Sequence, residues 1–178
     1  MTNTAARTRN QKPENVEDCV SQHDFREAMS RFGAAVHVLA TNGPAGKAGA
    51  TVTAVTSVTD APPTILVCLN RQSQVNQTIK RNGCFTLNTL CEQHEELSNA
   101  FAGAGKLPID ERYAKGTWCQ LAGEQHHLQD ARVSLQCQIS EVTEVGTHSV
   151  IFARVTRILL GDEAASALIY MDRGYKSL

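Results

Sequence analysis

Between Ala131 and Val145 the chain reads ARVSLQCQISEVTEV, with apolar residues at every second position: Val133, Leu135, Cys137 and Ile139. Side chains two apart share one face of a strand, so this spacing predicts a long β-strand with one covered face. It does not stand alone. Two further runs, HSVIFARVTRILL and LIYMD, follow it, and AAVHVLAT, GATVTAVTSVT, TILVCLN and CFTLNTL precede it. NGPAGKAG joins the first two of these into a long hairpin, and Pro62-Pro63 ends it. TILVCLN is a short, continuous apolar run suited to a strand buried on both faces.

Three segments break the β pattern with helical spacing. In SQHDFREAMSRFG, Phe25, Ala28, Met29 and Phe32 recur at i, i+3, i+4, i+7, which predicts a helix with one buried face. Asp24 with Glu27 forms the pattern of a capping box there, and Gly33 suits the residue after the helix. A second helix begins at Ser73, with Val75 and Ile79 four apart and Gly83 as its stop. A third, EQHEELSNAFAG, carries Leu97, Ala100 and Phe101 on one side and acidic residues near its start. Residues 104–129 read as loop, with a short strand at TWCQL. Many strands at short spacing with few helices predict a mainly β (α+β) fold, a closed or partly closed β-barrel with helices packed on it. No GxGxxG follows a strand, which argues against a Rossmann domain.

The 178 residues suit one domain, expected over residues 19–178 behind a polar, mobile extension at 1–18. A formal charge of -1 gives no footprint for nucleic acid or an anionic membrane, and no apolar run has the length of a membrane span. The six cysteines, Cys19, Cys68, Cys84, Cys91, Cys119 and Cys137, show no CxxC pair and read as small hydrophobes in a reducing compartment, which points to the cytoplasm. The histidines lack metal-ligand spacing, so no metal is expected.

Three segments are candidates for chemistry. GATVTAVTSVTD, residues 49–60, is a strand of Thr, Ala and Ser where a core strand would carry bulk. Such a surface suits a flat aromatic ligand with polar edges; it also suits an exposed strand whose threonines serve only β-propensity. CLNRQSQV places Asn70, Arg71, Gln72 and Ser73 at a helix start, where amides, a hydroxyl and a guanidinium can hold a phosphate, or where Ser73 is simply an N-cap. VGTHSV sets His148 at a strand edge, able to orient an amide or a phosphate, or merely polar at a turn. No serine sits in a GxSxG elbow and no cysteine has a local activating partner, so an enzyme of this sequence would need an organic cofactor.

In this order, FREAMSRFGAAVHVLAT, GATVTAVTSVTDAPPTILVCLNRQS, FTLNTL, LSNAFAG, Arg112-Tyr113, VGTHSVIFARV and LIYMDRGYKSL resemble the short-chain flavin reductases, the small components of two-component aromatic monooxygenases. The resemblance runs from about Phe25 to the C-terminus. It implies an FMN-binding split barrel, a Greek-key β-barrel acting as a homodimer, in which the flavin takes the space left by Thr51, Val52, Thr53, Ala54, Ser57 and Val58. It further implies Asn70, Arg71 and Ser73 near the flavin phosphates, Asn88 on the next strand, Ser98 and Phe101 near a dinucleotide tail, and Arg112 beside the site. His148, the one catalytic candidate, and Tyr175 would lie near the nicotinamide. The implied activity is hydride transfer from NADH to FAD, with FMN second, and release of reduced flavin to a separate monooxygenase acting on a phenol or chlorophenol. NADH is expected over NADPH because no basic cluster stands ready for a 2′-phosphate. A split-barrel protein that holds flavin or haem without turnover is the alternative.

Overall fold

The computed structural model describes residues 20–120 and 125–178; the expected extension, with Cys19, lies outside them. Its first element, α1 (Gln22–Ser30), is capped by Ser21, whose hydroxyl accepts from the Asp24 amide at 3.0 Å. The cap is thus three residues earlier than Asp24, and the predicted buried face is not buried: Phe25, Met29 and Phe32 are 57%, 44% and 63% exposed. Their spacing is helical and apolar, but the other described residues leave it uncovered.

Seven strands form one antiparallel sheet in the order β3-β2-β6-β9-β10-β5-β4, where β2 is His37–Gly43, β3 Gly46–Val52, β4 Val55–Asp60, β5 Pro63–Asn70, β6 Cys84–Thr89, β9 Val133–Val145 and β10 His148–Leu160. The β3 and β4 strands are consecutive in sequence yet occupy opposite edges. The two residues between them, Thr53 and Ala54, span only about 7 Å, so the sheet must curl until its edges meet; at this corner the Cys68 amide bonds the Ala54 carbonyl at 3.0 Å, extending the β4–β5 ladder. The expected single strand over 49–59 is therefore two strands meeting at a corner. Neighbours β2-β6 and β10-β5, distant in sequence, give the Greek-key path of a mainly antiparallel barrel. Outside it, β1 (Ala34–Ala35), β11 (Leu168–Met171) and β12 (Gly174–Ser177) make a small sheet, and β7 (Trp118–Cys119) pairs β8 (His127–Leu128).

Two hydrophobic clusters divide the core. Inside the barrel, Leu39, Val67, Phe85, Leu87 and Ile151 pack with Ile79 of α2 (Gln74–Asn82), the helix that Ser73 starts and Gly83, in the left-handed region at φ 71°, ends. Outside it, Val38 and Ala40 on the other face of β2 pack with Leu97 and Phe101 of α3 (Glu95–Phe101), Tyr113 of α4 (Ile109–Tyr113) and Leu128. Both faces of β2 are covered, which is why its apolar residues run consecutively. By contrast β5, expected to be buried on both faces, alternates buried Ile65, Val67 and Leu69 with half-buried neighbours. The helix α4 was hidden in the segment read as loop; Pro108 followed by Asp110 and Glu111 is its only start signal. Among the described residues no helix is long and apolar enough to cross a membrane, and no group of three metal-ligating side chains gathers.

Candidate functional site

The corner between β3 and β4 opens onto a groove. One arm, a cleft of about 370 Å³, is lined by Thr51, Val52 and Thr53 on one side and by Tyr170, Arg173 and Tyr175 on the other. A second arm of about 400 Å³ shares Thr53, Tyr170 and Arg173 and continues past Ala54 to Phe25 and Met29 of α1. Small residues at the corner leave the backbone open to this groove, while two tyrosine rings, 5.4 Å apart and edge to face, form its opposite wall. That wall is the β11–β12 hairpin, whose two turn residues Asp172 and Arg173 hold φ of 54° and 59°. Its turn is fastened to α1: the Asp172 amide donates to the Ser30 carbonyl at 2.7 Å, and Arg173 Nη2 to Glu27 Oε2 at 2.7 Å.

The second candidate segment lies close by. Cys68 is bonded to the corner, and Asn70 follows two residues later on the same face of β5, about 7 Å along the strand. Asn70 pairs in register with His148. Asn70, Arg71, Lys80, Glu144 and Thr147 line a cleft of about 520 Å³ at this barrel end. Ser73 caps α2, accepting from the Asn76 amide at 3.2 Å and donating to the Asn70 carbonyl at 2.8 Å. Arg71 is fixed by its amide to the Thr147 carbonyl at 3.0 Å, by Nη1 to the Gly146 carbonyl at 3.2 Å, and by Nε to Glu144 at 3.0 Å. The exposed His148 sets Nδ1 2.9 Å from the Thr147 hydroxyl.

Thus the structure brings Thr51, Val52, Thr53, Ala54 and Tyr175 to one groove and Asn70 and Arg71 to its neighbour, while Ser73 and His148 stand beside that cleft without lining it. Ser98 is buried but touches the groove through its hydroxyl, 2.8 Å from the Tyr175 hydroxyl, while its carbonyl accepts from Thr51 Oγ1 at 2.6 Å. Ser57 and Val58 lie exposed farther along β4, lining neither cleft. Arg112 borders a separate cleft with Lys47 and Gln74, its Nε held by the Leu107 carbonyl. Two residues need correction. Asn88 is fully buried, its Nδ2 donating to the Val38 carbonyl and its Oδ1 accepting from the Leu128 amide and the Ser134 hydroxyl. Phe101 is packed so tightly that a Cβ on Gly49 would fall 2.5 Å from its ring. Both hold the core and present nothing to either cleft. Conversely Tyr170 and Arg173 escaped the sequence reading, although LIYM, DR and GYKS spell strand, turn and strand.

The donor set of the groove, hydroxyls and backbone amides beside Val36, Val52, Ala102 and two aromatic rings, fits a flat heteroaromatic ring with polar edges. Comparisons with known proteins agree. Residues 29–178 match the family described as flavin reductase like domain. Over 159 residues the chain is 45% identical to the FMN reductase (NADH) RutF of Serratia proteamaculans, covering 89% of each chain. Among solved structures, the flavin reductase PheA2 superposes with a TM-score of 0.79 at 25% identity over 89% of this chain and 99% of that one. The styrene monooxygenase flavin reductase of Pseudomonas putida S12 gives 0.75 at 25% identity, over 87% and 97%.

Proposed function

The chain belongs to the flavin reductase like domain family, and from that premise we propose that it is an NADH-dependent flavin reductase that releases reduced flavin to a separate monooxygenase. FMN is taken as the first flavin because the relative at 45% identity is named for it, and FAD as the second. The observation that carries this reading is the groove at the Thr53–Ala54 corner, walled by Tyr170 and Tyr175, with the Asn70–Ser73 segment one short strand step away.

The residues divide the work. Thr51, Val52, Thr53 and Ala54 would hold the ring against open backbone, and Asn70, Arg71 and Ser73 the phosphate, using the α2 N-terminus and a guanidinium. When bound, the flavin supplies N5 as acceptor for the hydride on C4 of NADH. No side-chain acid or base is needed for that transfer. The chain contributes position: Tyr170 and Tyr175 bound the space above the corner and limit how a nicotinamide can approach, and orientation of this kind makes an encounter effectively unimolecular. His148 would orient the nicotinamide, and backbone amides at the corner would stabilise charge on the reduced ring. An open groove suits a product that leaves. The exposed apolar face of α1 supports a homodimer, the cysteines a cytoplasmic setting, and an aromatic substrate for the monooxygenase follows the resemblance.

The test is NADH oxidation with FMN, FAD or riboflavin at catalytic enzyme. FMN should sustain rapid turnover, and His148→Ala should raise the apparent KM for NADH about tenfold with kcat little changed. Absence of turnover with every flavin would overturn the reading.

A further inference from the structure

One carboxylate in the Arg71 cleft is placed against the site's own chemistry. Glu144 pairs in register with Ser149 across the β9–β10 hairpin and gathers three donors. Its Oε2 accepts from Arg71 Nε at 3.0 Å and from the Ser149 hydroxyl at 2.8 Å, and its Oε1 accepts from Lys80 Nζ at 3.0 Å. The Ser149 hydroxyl first, and then the Lys80 ammonium, hold its carboxyl below the usual carboxylate range, so it is charged at neutral pH. Both cations that line this cleft are thereby matched by an internal anion. All three side chains remain a third to a half exposed, within reach of a dissolved ligand.

We propose that Glu144 is a specificity-determining residue, a built-in competitor that occupies Arg71 and Lys80 and weakens the binding of a flavin's phosphate. The inference rests on the flavin reading above. An incoming phosphate must take the guanidinium from Glu144 or lie beside a like charge, and either lowers its affinity. Riboflavin has the same ring and ribityl chain without the phosphate, so it feels none of this. The consequence is functional: a reductase that must let go of its product gains from a phosphate site already half satisfied.

Glu144→Gln keeps the shape and removes the charge; Glu144→Ala deletes the group, so the result does not hang on one variant's folding. Full-length wild type and both variants are titrated with FMN and with riboflavin, following quenching of flavin fluorescence. FMN should bind about tenfold tighter to the variants, with riboflavin unchanged within twofold, so that the ratio of the two dissociation constants moves about tenfold. FMN binding that is equal or weaker in both variants would overturn this inference alone and leave Glu144 as a scaffold for Arg71. Failure of wild type to bind either flavin would contradict the flavin reading and this inference together.

Discussion

Asn88 shows how a side chain can match a family's site segment and still serve the core. Its amide joins β2, β6, β8 and β9 at one fully buried point. Asn88→Ala would strand the Leu128 amide and the Ser134 hydroxyl without partners, and leaving such groups unsatisfied costs about 1–3 kcal/mol. Urea unfolding should show that loss, while the flavin dissociation constants of the folded variant stay unchanged; an unchanged midpoint with weakened flavin binding would reverse the assignment. His37 makes a different kind of prediction. Its Nδ1 lies 2.9 Å from the Thr89 hydroxyl, and burial pushes its pKa down to about 4. The unfolded chain, near the ordinary 6.5, takes up a proton that the folded chain refuses. Stability is therefore full above about pH 6.5 and falls as acid carries the solution toward pH 4. Because the ring is only partly shielded, about 1–3 kcal/mol is expected from this group. Replacing it, His37→Gln, should flatten the drop in urea stability between pH 7 and pH 5; an equally steep drop would show that other groups carry it.

At the scale of elements, what was legible followed from local rules. The helix α2 announced both its ends, Ser73 as cap and Gly83 as left-handed stop, because each of these is a backbone requirement satisfied within a few residues. The length of β9 showed in its period-two spacing for the same reason. What could not be read was long-range. The break at Thr53–Ala54 exists because β3 and β4 pair at opposite edges of the sheet, which no local pattern encodes. The Tyr170 and Arg173 wall depends on the hairpin folding back over the corner, and the contacts of Glu144 with Arg71 and Lys80 join residues more than sixty apart. The helix α1 is the instructive case: its periodicity predicts a buried face, yet among the described residues that face is exposed. If a second copy covers it, Phe25→Ser with Phe32→Ser should shift the sedimentation coefficient from dimer to monomer. A species of unchanged size would place the contact elsewhere.

For the whole molecule, the barrel acts as a frame that brings three distant segments to one end: the β3–β4 corner, the start of α2 and the C-terminal hairpin. Each supplies what the others lack, an open backbone surface, an anion site and an aromatic wall. None of them seals the groove, and this openness is what the account makes central: flavin is a substrate that enters and leaves. The most direct measurement is anaerobic. Wild-type protein is mixed with excess NADH and a roughly twentyfold excess of FMN, and the oxidised flavin absorbance is followed to completion. The account predicts that the whole flavin pool bleaches, because each protein molecule reduces and releases many flavins in turn. Bleaching that stops at one flavin per chain, or does not occur, would contradict it.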